Sequence, residues 1–270
     1  MGGSLALALR DSCRSLLAYD PDPDTISLAL HNKIVDHASS IPTEIFPQAD
    51  VIILAAPLKA ILDLIQDLPN LHPGSPIVFD IGSSKVEIVH ALDGLPARFD
   101  PFGGHPMCGK ETNGAGEAEP DLYRGCTFIL CPLSRTSDAA LAFGQEMVEA
   151  IGATPLVLDG ERQDRLAATL SHLPYLLACA LVQTADVTTS DDPAAWEIVA
   201  GGFRDTSRVA GSDVHMMLDI LATNRTAVLR SAKAFRNGFD RLVELIETGA
   251  EDELVEMLTR SREERRRMFR

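Results

Sequence analysis

Apolar residues along this chain follow two periods. Short runs that are apolar at nearly every position stand at Leu16–Tyr19, where Asp20 ends the run, and at Val51–Ala56, Ile77–Phe79, Cys126–Cys131 and Pro155–Leu158. Strands apolar on both faces belong in a buried, mostly parallel sheet. Between them Leu58, Ile61, Leu62, Ile65 and Leu68 recur at the spacing of one helix face. This alternation predicts a doubly wound α/β domain over residues 1–158. From Asp164 onward only the helical period remains, so residues 159–270 are expected to form an all-helical domain. Leu166, Leu170, Leu173, Leu177 and Leu181 form one stripe, with Pro174 placed to kink it. A second stripe runs from Val214 to Ile246, with Ser212 as its N-cap and a bend expected at Asn237-Gly238. A helix of that length packs against another subunit or wraps a bundle. The last helix, about Glu251 to Met268, closes on Arg265, Arg266, Arg267 and Arg270, cations that suit a helix C-terminus.

The charge balance narrows the partners. Across 270 residues, 24 Lys and Arg stand against 39 Asp and Glu, a net charge of −15. Nucleic acid and anionic membrane surfaces are repelled by such a chain, and an anionic ligand needs a local cationic pocket. The 46% apolar content excludes a disordered chain. Five scattered cysteines without a CxxC pair read as reduced thiols, which predicts a cytoplasmic protein without disulfides or a metal centre. No contiguous run reaches the roughly 18 apolar residues of a membrane span. The apolar stretch Ser4–Leu9 follows no basic region, so no signal peptide is expected.

Several short motifs carry candidate chemistry. Gly2-Gly3 opens a helical stretch, and Asp20 ends the next strand. In a dinucleotide-binding unit a glycine turn leads into a helix that holds the pyrophosphate, and an acid about 20 residues on binds the ribose hydroxyls. Asp20 would repel a 2′-phosphate, which favours NAD over NADP. The first strand and first two glycines of such a unit are absent, so a start about ten residues upstream is expected. That strand is central in the doubly wound sheet, and without it both neighbours are left unpaired. Asp80-Ile81-Gly82-Ser83-Ser84-Lys85 is either part of the ligand-binding sheet edge or a polar turn before a helix. His105, framed as Gly103-Gly104-His105-Pro106, has the ordinary pKa of a general base or is a plain loop residue. His172, beside Pro174, is a ligand or a buried core histidine. Arg204 and Arg208 share a helix face after Gly201-Gly202 and form an anion pocket, unless Asp205 neutralises one of them.

Taken in order, Gly2-Gly3-Ser4-Leu5-Ala6, Gly82-Ser83-Ser84-Lys85, Gly103-Gly104-His105-Pro106-Met107, Ser171-His172-Leu173-Pro174 and Gly202-Phe203-Arg204-Asp205-Thr206-Ser207-Arg208 resemble the prephenate/arogenate dehydrogenase family over essentially the whole chain. The resemblance implies an N-terminal NAD-binding domain and a helical C-terminal domain that forms a homodimer. It implies oxidative decarboxylation of prephenate to 4-hydroxyphenylpyruvate in tyrosine biosynthesis. The alternatives are arogenate as substrate, or a truncated, non-catalytic dimeric relative. By the same resemblance His105 and Ser83 are catalytic, and Arg208, Arg204 and His172 bind substrate. Gly2, Gly3, Asp20, Ala56 and Pro57 hold the cofactor. Family members often read His-Leu-Pro-His where this chain has Tyr175, which keeps arogenate open as substrate.

Overall fold

The computed structural model describes residues 1–110 and 114–269. It divides into two compact units, Met1–Arg225 and Thr226–Arg270.

The first unit opens with α1 (Gly2–Leu9), β1 (Leu17–Tyr19), α2 (Pro23–His31), β2 (His37–Ser39) and α3 (Pro42–Ile45). It continues with β3 (Val51–Leu54), α4 (Leu58–Leu71), β4 (Ile77–Asp80), α5 (Val86–Asp93) and β5 (Asp100–Pro106). Next come β6 (Thr127–Pro132), α6 (Asp138–Ala150), β7 (Thr154–Val157) and α7 (Gly160–Ala167). The unit ends with α8 (Leu173–Thr188), α9 (Gly201–Ser207) and α10 (Val214–Thr223). Five strands form one sheet in the order β3-β4-β5-β6-β7, parallel except between β5 and β6. Successive residues of its strands face opposite layers. Ile52, Leu54 and Val78 pack with α4, α5 and Met217 and Ile220 of α10, whereas Phe79, Phe102, Phe128 and Leu130 pack with α1 and α6. Helices therefore cover both faces, which is why the strands read as unbroken apolar runs.

The expected break in the sheet is present. Among the described residues β1 pairs only with β2, Leu17 opposite His37, and β3 pairs only with β4. The small pair has its own apolar cluster of Ala29, Ile34 and Val35.

Strand β2 was not anticipated, and three expectations need correction. The strand β2 gives no apolar signal, since it reads His-Ala-Ser. His105 lies in strand β5, not in a glycine loop, opposite Ile129 of β6. The glycines before it admit close neighbours: a Cβ on Gly104 would come 2.5 Å from the Asp80 carbonyl oxygen and 3.1 Å from the Phe128 ring. Gly104→Ala is accordingly expected to destabilise the protein by about 1–3 kcal/mol, read as a lowered urea midpoint at unchanged m-value. The long helical stripe breaks at Asn224, not at Asn237-Gly238, because the Asn224 side chain donates to the Asp164 carbonyl oxygen at 2.7 Å. Its N-cap is Asp213, which accepts from the Met216 N–H at 2.7 Å, not Ser212.

The kink near Pro174 takes the form of a π turn at Ala168–His172, just before α8. Proline has no N–H for the preceding turn, so the ladder changes its spacing there. The continuous helical stretch Gly160–Thr188 is long and apolar enough, by length and composition, to cross a membrane.

The second unit contains most of α11 (Arg225–Thr248) and all of α12 (Glu251–Met268). Gly249, at φ 66°, makes the left-handed turn between them. Arg241 bridges Glu244 on its own helix and Glu253 on α12. Glu251, Asp252 and Glu253 start α12 and Arg265, Arg266 and Arg267 end it, the charge order that the helix dipole favours. Phe235 and Phe239 stack at 5.9 Å while remaining exposed, as does Ile246.

Candidate active site

The site is built on a buried ion pair. Asp80 is the last residue of β4, and the chain turns through Gly82 so that Lys85 reaches back to it. Both side chains are fully buried. Asp80 Oδ2 also accepts the Gly82 N–H at 2.7 Å, and Oδ1 accepts the Gly104 N–H at 3.2 Å. Burial pushes the Asp80 carboxyl above the ordinary range, against the pull of Lys85 and the two N–H groups. One carboxylate thus fixes the end of β4, the turn after it and the glycines of β5. Helix α5 has no side-chain cap of its own. Asp164 of α7 serves instead, accepting the N–H of Lys85 at 2.6 Å and of Val86 at 2.9 Å.

His105 stands on β5 above this frame and is 7% exposed. Gln163 of α7, completely buried, donates from Nε2 to the Ser83 carbonyl oxygen at 3.1 Å. The same nitrogen lies 3.2 Å from His105 Nδ1. No hydrogen bond to His105 Nε2 is seen among the described residues. Burial, then the Lys85 charge and His172, hold the His105 pKa down to about 3. The imidazole is therefore held in its neutral form at neutral pH.

His172 closes the neighbouring side. It is buried in the π turn, its Nδ1 3.3 Å from the Asn224 amide nitrogen. Its Nε2 is buried without a partner. Burial lowers its pKa to about 4. The hydroxyls of Ser84 and Thr223 meet at 2.7 Å, a further link between the turn after β4 and α10.

His105, Ser83 and His172 are thus brought into one polar cluster, although the contact from Ser83 is made by its carbonyl oxygen. Arg204 and Arg208 are exposed, and neither is among the groups whose charge acts on His105. The turn Arg208–Gly211 packs along α8, the helix that follows His172. The dinucleotide candidates lie at the carboxyl ends of β1 and β3. A Cβ on Gly2 would come 2.9 Å from the Ala55 Cβ, beside half-buried Ala56 and exposed Pro57, the N-cap of α4. Gly3 lies one residue further into α1, where a Cβ would sit 3.2 Å from Ala118. Asp20 directly follows β1 and accepts the Asp22 N–H at 2.9 Å.

Sequence reasoning missed Gln163, Asp164, Asn224 and the pairing of Asp80 with Lys85. The last had a usable signal: opposite charges five residues apart across a glycine turn at a buried strand end. Gln163 and Asn224 had none, because single amides on helices carry no periodic mark.

A doubly wound α/β layer with a buried histidine on its middle strand, followed by helices, is the architecture shared by nicotinamide-dependent dehydrogenases. Residues 5–157 match the prephenate dehydrogenase nucleotide-binding domain and residues 159–260 the prephenate dehydrogenase dimerization domain. The chain belongs to the prephenate dehydrogenase family. It is 28% identical over 269 residues to the prephenate dehydrogenase of Bacillus subtilis, covering 96% of this chain and 70% of that protein. Identity to the cyclohexadienyl dehydrogenase of Zymomonas mobilis is 27%, over 97% of this chain and 92% of the relative. Among solved structures, the prephenate dehydrogenase of Aquifex aeolicus, in complex with hydroxyphenyl propionate and NAD+, superposes with a TM-score of 0.91 at 31% identity, covering 99% and 94% of the two chains. The arogenate dehydrogenase of Synechocystis gives 0.85 at 28%, covering 99% and 96%.

Proposed function

We propose that this chain is an NAD-dependent prephenate dehydrogenase that converts prephenate to 4-hydroxyphenylpyruvate in the cytoplasm, as a step of tyrosine biosynthesis. The observation that carries the reading is a buried, neutral His105 whose Nδ1 is anchored and whose Nε2 has no hydrogen bond to a described residue. An uncharged imidazole is the protonation state from which a general base starts, although one held down to about 3 is a weaker proton acceptor than one poised near neutral pH. His105 accepts the proton of the ring hydroxyl, and Ser83 helps to orient the ring. His172, with its unpartnered buried Nε2, binds a polar group of the same substrate. Arg208 holds a substrate carboxylate, with Arg204 beside it, in a chain whose overall charge repels anions. The reaction is driven by loss of carbon dioxide from a ring that becomes aromatic.

NAD, when bound, supplies the hydride acceptor. The residues present fit it: the first turn of α1 has no side-chain cap, Gly2 packs close to Ala55, and Asp20 offers a carboxylate at the end of β1. Gly2, Gly3, Ala56 and Pro57 would flank the pyrophosphate and Asp20 the ribose. The exposed apolar stripe of Leu229, Phe235, Phe239 and Ile246 on α11 supports a homodimer through the C-terminal helices.

The test is NADH formation with prephenate and arogenate side by side. Prephenate is expected to give the higher kcat/KM, and activity with neither would overturn the reading. Arogenate remains the second reading, favoured by the likeness to the Synechocystis enzyme and by Tyr175 after Pro174. Arg208→Ala is expected to raise KM roughly 10- to 100-fold with little change in kcat. An unchanged KM would remove Arg208 from the carboxylate contact.

A further inference from the structure

Gln163 bears on the question of which nitrogen of His105 carries the proton. The Ser83 carbonyl oxygen and His105 Nδ1 lie 3.1 and 3.2 Å from the same atom, Nε2 of Gln163. A carbonyl oxygen can only accept, so the atom facing it must be the amide NH2. The second hydrogen of that group then points at His105 Nδ1, which has to present a lone pair. A neutral imidazole with a bare Nδ1 carries its proton on Nε2. In this arrangement Nε2 carries the hydrogen and cannot accept a proton. The Gln163 amide oxygen, meanwhile, is buried and has no partner. A half-turn of the amide would bring that oxygen onto a protonated Nδ1 and leave Nε2 bare; because it also sets the amide oxygen against the Ser83 carbonyl oxygen, the Ser83 carbonyl has to turn away as the amide flips.

We propose that Gln163 is a positioning residue whose amide orientation selects the tautomer of His105. In the unliganded protein it keeps the proton on Nε2, and the half-turn of the amide converts His105 into the form that accepts a proton there. The proposal rests on the reading of His105 as the base. It gives the orphan oxygen a role, since buried polar atoms without partners are rare and mark strain or function. The charged and titratable groups facing His105 are Lys85 and His172, with Asp80 and Asp164 holding Lys85 in place. None of these changes in the variants below.

The test uses the full-length protein labelled with 15N-histidine and free of substrate, with His105 assigned by the signal lost in His105→Asn. The wild type is expected to show the Nε2–H pattern. Gln163→Glu offers only acceptors, so it is expected to give the Nδ1–H pattern and to move the acid limb of kcat/KM upward by about one pH unit or more. Gln163→Met, which removes both functions at similar volume, is expected to give a mixture of tautomers. An Nδ1–H wild type overturns the proposal. So does a Gln163→Met spectrum identical to that of wild type, a measurement that remains decisive if the buried glutamate prevents folding. Failure of the base assignment is distinct: His105→Asn would then keep full turnover whatever the spectra show.

Discussion

His105→Asn is expected to lower kcat by at least about 100-fold while KM stays within about threefold of wild type. Asparagine is similar in size and can still accept from Gln163, so the strand and its neighbours keep their places. It cannot take up a proton at the position of Nε2. A general base contributes about 10²–10⁴ in rate, and an equal loss in kcat and kcat/KM is the mark of an interaction made only in the transition state. The pH dependence has a definite sign. Burial and Lys85 hold the His105 pKa down to about 3, so the neutral, proton-accepting form is present above that value and is lost as pH falls through it. An acid limb assigned to His105 must therefore lie well below pH 6. Steady-state kinetics from pH 4 to 9 would check both points, and unimpaired turnover in the variant would end the base assignment.

The second large effect is on stability. Lys85→Met is expected to cost about 3–5 kcal/mol, because it leaves the Asp80 carboxylate fully buried without its countercharge. The Asp80 and Lys85 side chains join the end of β4 to the turn that leads into α5, and Asp80 holds the Gly104 N–H of β5. Thermal denaturation would register a fall in Tm of roughly 10 °C for a unit of this size. The double variant Asp80→Asn, Lys85→Met is expected to recover much of that loss, because removing both charges also removes the desolvation penalty. A Lys85→Met protein as stable as wild type would mean that water reaches the pair.

The fold was legible wherever packing wrote a period into the chain. Strands β3, β4 and β6 are covered on both faces and read as unbroken apolar runs, and α4 shows its buried stripe at Leu58, Ile61, Ile65 and Leu68. Strand β5 was hidden because close approach of Asp80 and Phe128 selects glycine at position 104, and glycine leaves no apolar signal. The break at Asn224 was hidden for a different reason. It is set by a hydrogen bond to Asp164, 60 positions away, which no local window contains. Of the site, His105 and His172 could be singled out by their glycine and proline neighbours. Their amide partners Gln163 and Asn224 could not, since only the folded chain brings them together.

The isolation of β1 and β2 has a mechanical consequence. Their ladder is three residue pairs long and shares no rung with the larger sheet among the described residues. Local opening there breaks a short ladder and a minor apolar cluster, Ala29, Ile34 and Val35 with the partly buried residues around them, so it can occur while β3 to β7 stay closed. With Asp20 proposed as the ribose contact, the residence time of a bound dinucleotide is expected to follow how often that ladder opens.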